Sequence, residues 1–115
     1  MALLMTVRAA ASSDWPYPVV ELAGEADLND SGALRDLLTA ESRDLTGTLV
    51  LDAAGLLFMD SAILHVILVA ARTMRAEGGI LALAAPQEPV RRILSLTGAD
   101  QLIPVYDSVA EAVTR

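Results

Sequence analysis

Thr48 to Ala53 is a nearly continuous apolar segment in the middle of the chain. Such a segment is typical of a strand that is buried on both faces of a sheet with parallel neighbours. An apolar helical pattern runs from Ile63 to Met74, Gly78-Gly79 ends it, and Ile80 to Ala84 forms a second apolar segment. A strand, a helix and a strand in this order predict two parallel strands joined by a crossover helix.

The remaining patterns extend this unit in both directions. Before it, we expect an edge strand over Met1–Val7 and then a loop over Ala9–Pro18, in which Trp15 covers the core. A second strand should follow over Val19–Ala23 and end at Gly24. The next element should be a helix capped by Asn29 or Asp30. After this unit, we expect a helix over Pro89–Thr97 with Leu96 facing inward, followed by a brief strand over Leu102–Val105. The last element should be a helix that is capped by Asp107 or Ser108 and runs through Val113. The alternation favours an α/β sandwich with a mixed sheet.

The composition excludes several classes of function. The chain has 115 residues, a net charge of −7 and no cysteine, which excludes disulfides, thiol catalysis and cysteine-based zinc sites. An acidic surface argues against direct nucleic acid binding and against anionic membranes. Ala62–Ala71 is shorter than the roughly 20 apolar residues that a membrane span needs. With no signal peptide pattern, we expect a cytoplasmic protein of one domain, without cofactor, metal or membrane insertion.

Asp60-Ser61 lies where the central apolar strand pattern gives way to the helical pattern. A strand-to-helix junction offers unpaired N–H groups and the positive end of the helix dipole. Ser61 could simply cap the helix through its hydroxyl, which is the commonest use of serine at this position. It could also accept a phosphate, because a helix N-terminus tolerates negative charge.

Several motifs together resemble the STAS domain family. They are Gly24-Glu25-Ala26-Asp27, Leu51-Asp52 with Gly55 and Phe58, Asp60-Ser61, Gly78-Gly79, and the segment from Leu96 to Ser108. The resemblance covers about Val19 to Val113 and implies a STAS-type sandwich over residues 1–115, with a mixed sheet of four to five strands packed by about four α-helices. The branch that looks most similar is that of the bacterial anti-sigma factor antagonists. The family pattern Asp-Ser-Ser/Thr-Gly-Leu reads Asp60-Ser61-Ala62-Ile63-Leu64 in this chain.

This resemblance implies a regulatory binding protein with no catalytic activity. In the family, an anti-sigma factor kinase phosphorylates the serine that matches Ser61, and the unphosphorylated protein sequesters that kinase and so frees a sigma factor. The partner implied here is therefore an anti-sigma factor serine kinase. We expect the partner surface to include Asp27, Asp60, Ala62, Ile63, His65, Val66 and Val69. The oligomeric state stays open.

Most of these residues also have a structural interpretation. Asp27 and Asp60 could cap helices, and a neighbouring helix could cover Ala62, Val66 and Val69. His65 lies one turn after Ser61, so a protonated imidazole could pair with a phosphoserine. A hydrolase built on Ser61, His65 and Asp60 is disfavoured, because no Gly-x-Ser-x-Gly turn surrounds the serine. A second role for the same fold is a STAS subunit that is not phosphorylated and stabilises a partner complex, for example a lipid-transport ATPase.

Overall fold

The computed structural model describes residues 2–8, 17–43 and 45–113. Its elements are β1 (Leu4–Arg8), β2 (Val19–Ala26), α1 (Ser31–Ser42), β3 (Thr48–Met59), α2 (Ser61–Ala76), β4 (Ile80–Ala84), α3 (Glu88–Thr97), β5 (Val105–Tyr106) and α4 (Val109–Val113). Short 3-10 helices cover Leu28–Asp30 and Ala99–Gln101. The expected position of Trp15 lies outside the described residues.

The five strands form one mixed sheet in the order β1-β2-β3-β4-β5. β1 pairs antiparallel with β2, and every other neighbouring pair is parallel. The α/β fold with a mixed sheet and four α-helices is therefore confirmed, and β1 is at an edge as expected. Because α1 and α2 each connect two parallel strands, both helices run opposite to the strands and parallel to each other.

The first half of β3 is buried on both faces, as its apolar sequence indicated, whereas Leu57 and Phe58 near its end are exposed. Leu49 and Leu51 belong to the large core beneath the helices, whereas Val50 belongs to a smaller cluster on the opposite face with Ala112 of α4. All three strand residues are fully buried. Successive side chains of a strand point to opposite faces, so the apolar residues of β3 pack into both hydrophobic clusters.

Strand ends differ most from the expectation. β2 does not close at Gly24 but continues to Ala26, with Gly24 at a positive φ of 95°. The β2–β3 register is irregular between Glu21 and Ala23 and again between Gly24 and Glu25. Gly24 thus supplies a local irregularity within a strand, which a glycine permits because it has no Cβ. As a result β2 and β3 end together beside the Asp60-Ser61 junction.

The C-terminal third shows two further differences. Leu96 is 80% exposed, so the expectation that it faces inward is wrong. Its position six residues after the buried Val90 rotates it about 240° around the helix, away from the core. The final strand is Val105–Tyr106 and therefore begins later than predicted. Ser108, one of the two expected caps, accepts the Glu111 N–H at 3.0 Å.

Candidate functional site

The junction between β3 and α2 is held by Asp60. Asp60 has an extended backbone, and its Oδ1 accepts the N–H of Ile63 at 3.0 Å. This geometry makes Asp60 the N-cap and Ser61 the first residue of α2. The interpretation of Ser61 as the cap is therefore wrong, because the preceding carboxylate already occupies the capping position.

The second carboxylate oxygen of Asp60 binds a different segment. Oδ2 accepts the N–H of Leu28 at 3.0 Å, while the Asp60 N–H donates to the carbonyl of Ala26 at 3.2 Å. One side chain thus joins the start of α2 to the loop between β2 and α1. With both oxygens engaged in this way, Asp60 acts first as a structural residue, and its partner-binding role stays a prediction.

Asp27 caps the 3-10 helix that leads into α1. Its Oδ1 accepts the N–H of Asn29 at 2.9 Å, and Oδ2 of Asp30 accepts the N–H of Asp27 at 3.0 Å. This reciprocal pair is a capping box of the 3-10 helix. Asp30, one of the two residues expected to cap α1, does lie at the N-cap position of α1, but its side chain makes no capping hydrogen bond to that helix. Asp27 remains exposed, so its carboxylate fixes the loop and still faces solvent beside the junction.

Ser61 presents a free hydroxyl at this junction. The residue is exposed, and within the described part of the chain its Oγ has neither a hydrogen-bond donor nor an acceptor. Nothing in the described surroundings therefore depends on the Ser61 hydroxyl for its hydrogen bonding. A serine of this kind can be modified without the loss of an existing contact.

The predicted partner surface divides into exposed and buried residues. His65 and Val69 are exposed on α2, and Ala62 is half-buried. Ile63 is fully buried and Val66 is 4% exposed, so neither side chain is presented to solvent in the free chain, and their contact with a partner stays a prediction. Ile63 packs into the core, and α1 lies against α2 on the side of Val66.

Leu28 is a residue of this surface that the sequence did not indicate. It is 67% exposed, and its backbone is bound to Asp60, directly before Ser61. Phe58, 44% exposed, lies two residues before Asp60 at the end of β3. The sequence did contain one indication of this role: a leucine stands among three polar residues in a turn. A leucine side chain cannot form the hydrogen bonds that stabilise such a turn, so its presence there indicates a contact with another molecule.

The arrangement of side chains is unfavourable for the other chemistries considered. No hydrogen bond joins Ser61 to His65 among the described residues, so the pair lacks the contact that a nucleophile and base require. The described residues contain no group of three or more His, Asp or Glu side chains that could hold a metal ion. In the same residues no helix is long and apolar enough to cross a membrane.

Comparison with known proteins identifies the family. The STAS domain model matches residues 10–112. An anti-sigma F factor antagonist from Paenibacillus polymyxa is 34% identical over 98 residues, which cover 84% of each protein. The crystal structure of an anti-sigma factor antagonist from Mycobacterium paratuberculosis matches with a TM-score of 0.83 and 26% identity, over 97% of this chain and 92% of that one. The chain therefore belongs to the STAS family and, within it, to the anti-sigma factor antagonists.

A more distant relative shares the fold. The anti-sigma factor antagonist SpoIIAA in its unphosphorylated form matches with a TM-score of 0.79 at 22% identity, over 97% of this chain and 95% of that one. Its phosphorylated form from Bacillus matches with a TM-score of 0.72 at 21% identity, over 97% and 98% of the two chains. That protein has therefore been observed in this fold both with and without phosphate.

Proposed function

We propose that this chain is a cytoplasmic binding protein that sequesters an anti-sigma factor serine kinase, and that phosphorylation of Ser61 by that kinase ends the interaction. The unphosphorylated chain frees a sigma factor by occupying the kinase. The chain needs no catalytic activity of its own for this role. The observation that carries the proposal is the exposed, unbonded hydroxyl of Ser61 at the first position of α2.

The local structure would accept a phosphate without a change of fold. The N–H groups of Ser61 and Ala62, in the first turn of α2, have no backbone acceptor within the helix. A phosphate on Ser61 would add about −1.5 to −2 charges near these donors and near the positive end of the helix dipole. Because no described contact involves the hydroxyl, its modification would break none.

The phosphate would act on the partner instead. The unmodified surface combines the neutral hydroxyl of Ser61 with the exposed side chain of Leu28, held together through Asp60. A partner that fits this surface would have to desolvate a dianion after phosphorylation, next to the carboxylates of Asp27 and Asp60. Dissociation is therefore the expected direction of the switch.

The replacement of the family glycine by Ile63 is compatible with this mechanism. Ile63 is fully buried, so its bulk fills the core beneath α2 and adds nothing to the surface that a kinase would approach. Ala62 removes one hydroxyl next to Ser61 and leaves the acceptor in place. The sequence departure therefore gives little support to the alternative role, a STAS subunit that binds its partner constitutively.

The test is intact-mass measurement after co-expression with candidate anti-sigma factor kinases from the same genome. We expect one added phosphate on the wild type and on Ser95→Ala, a matched change at an exposed serine of α3, and none on Ser61→Ala. Binding by both wild type and Ser61→Ala without any phosphate would instead support the constitutive subunit. Phosphate that persists in Ser61→Ala would overturn the assignment of the acceptor.

A further inference from the structure

A groove of about 530 Å³ lies between α1 and α2, outside the Ser61 junction. Its apolar lining comprises Leu38 of α1 and Val66, Val69 and Ala70 of α2. Leu38 and Val66 are almost fully buried there, whereas Val69 is 44% exposed. Three small hydroxyl-bearing residues, Thr39, Ser42 and Thr73, also line it. A concave site of this size, mostly apolar with a few polar groups, is typical of small-molecule binding.

The groove carries positive charge in a chain whose net charge is −7. Arg35 and Arg43 both line it, and in the part of the chain that the structure describes neither guanidinium has an ion pair or a hydrogen bond. The other titratable groups that line the groove are His65 and Glu77. Two arginines without an ionic partner among the described residues, beside apolar side chains, are complementary to a ligand with an acidic head and an apolar body.

The parallel course of the two helices orders these charges along the groove. Arg35 and His65 each lie four residues after the start of their helix, so they belong to the same end. Arg43 follows the last residue of α1, and Glu77 follows the last residue of α2, so they belong to the other end. Glu77 would repel an anion there, which leaves the Arg35 end as the better position for an acidic head.

We propose that the α1–α2 groove binds a small amphipathic anion, with its acidic group on Arg35 and its apolar chain along Leu38, Val66 and Val69. Val69 supports this assignment, because it is an apolar residue of the groove lining that stays 44% exposed. A carboxylate head with a medium-length alkyl chain meets both requirements. The site is independent of phosphorylation and extends the chain's role from protein binding to ligand binding.

The experiment is a titration of the unphosphorylated wild-type protein with decanoate, below its micelle concentration, followed by amide chemical shifts. We expect saturable shifts confined to the facing sides of α1 and α2. Decyltrimethylammonium, which has the same alkyl chain and the opposite charge, should bind at least about tenfold more weakly. Equal binding of the two probes, or shifts scattered over the surface, would overturn the proposal.

Variants of matched charge locate the acidic head. Arg35→Gln should weaken decanoate binding roughly tenfold or more, whereas Arg72→Gln, an exposed arginine of α2 outside the groove, should leave it unchanged. Val69→Glu should abolish binding, and Leu96→Glu, at an exposed leucine of α3, should not. Equal losses of decanoate affinity in Arg35→Gln and Arg72→Gln would show that decanoate responds only to the net charge of the protein, which would contradict a binding site at Arg35.

A protein occupant is the competing outcome. If decanoate produces no shifts while the kinase partner protects the same amides of α1 and α2, the groove is a protein-docking surface and the proposal fails. Neither result depends on whether Ser61 accepts a phosphate, because the titration uses the unmodified chain. The mass measurement of the kinase reaction tests the phosphorylation switch separately.

Discussion

Oδ2 of Asp60 accepts the N–H of Leu28 at 3.0 Å, across 32 positions of sequence. The other oxygen, Oδ1, caps α2 through Ile63 at the same distance. A single carboxylate therefore fixes the position of an exposed leucine relative to the first residue of a helix. This hydrogen bond assembles the proposed partner surface from two separate segments of the chain.

Replacement of Asp60 by alanine should destabilise the fold. The variant loses the cap of α2 and the acceptor of the Leu28 N–H, which together should lower the free energy of unfolding by about 1–2 kcal/mol. Urea denaturation monitored by circular dichroism measures this change. Asp36→Ala, at an exposed aspartate of α1, should change it by less than about 0.5 kcal/mol. Equal losses in the two variants would show that Asp60 has no special structural role.

A negative charge at position 61 should separate binding from stability. Ser61→Asp introduces a carboxylate at the first position of α2, where the helix dipole is favourable, so its free energy of unfolding should stay within about 0.5 kcal/mol of the wild type. Affinity for the kinase partner should fall at least about tenfold, because a charge must be desolvated at the interface. Calorimetric titration checks the affinity, and Ser95→Asp serves as the control. Undiminished binding would contradict a release switch.

Leu28 should contribute binding energy and almost no stability. Leu28→Ala removes an exposed side chain, so the unfolding midpoint should barely move, while truncation of a central contact typically weakens binding by about 1–2 kcal/mol or more. Leu96→Ala is a matched control, since Leu96 is also largely exposed but lies on α3. Surface plasmon resonance with immobilised partner compares the two variants. Identical affinities would exclude Leu28 from the interface.

Restoration of the family glycine should damage the core. Ile63→Gly removes a fully buried side chain and places glycine in a helix, which should lower the free energy of unfolding by at least about 3 kcal/mol. Ala62→Ser, which restores the second hydroxyl at a half-buried position, should cost less than about 1 kcal/mol. Denaturation curves of both variants test this contrast. A stable Ile63→Gly protein would mean that Ile63 is not a core residue in solution.

The sequence predicted elements better than it predicted the contacts at their ends. The apolar run of β3 and the helical spacing of apolar residues in α2 both arise from burial, and such a pattern can be recognised within one short segment of sequence. The choice between Asp60 and Ser61 as the cap depends on which residue keeps an extended backbone, and both residue types are good caps. Likewise, the bond from Asp60 to Leu28 joins segments whose proximity only the folded sheet establishes.

The exposure of two residues, Val66 and Leu28, could not be predicted from the sequence for a related reason. Val66 is on the flank of α2 rather than in its centre, and whether that flank is covered depends on the position of α1. Leu28 occupies a turn of polar residues, where no period exists to indicate its exposure. Helical spacing identifies the most buried direction of a helix, but the width of the buried face is decided by tertiary packing.

The capping box at Asp27 and the Asp60 bond also have a kinetic consequence. Hydrogen bonds already join the loop at Asp27 to the start of α2 in the free chain, so we expect association with a partner to lose little further conformational entropy in these segments. Encounter with such a rigid surface requires no slow rearrangement, and the lifetime of the complex then depends on the fit of a few side chains. A single added phosphate can consequently shorten that lifetime while both partners keep their shape.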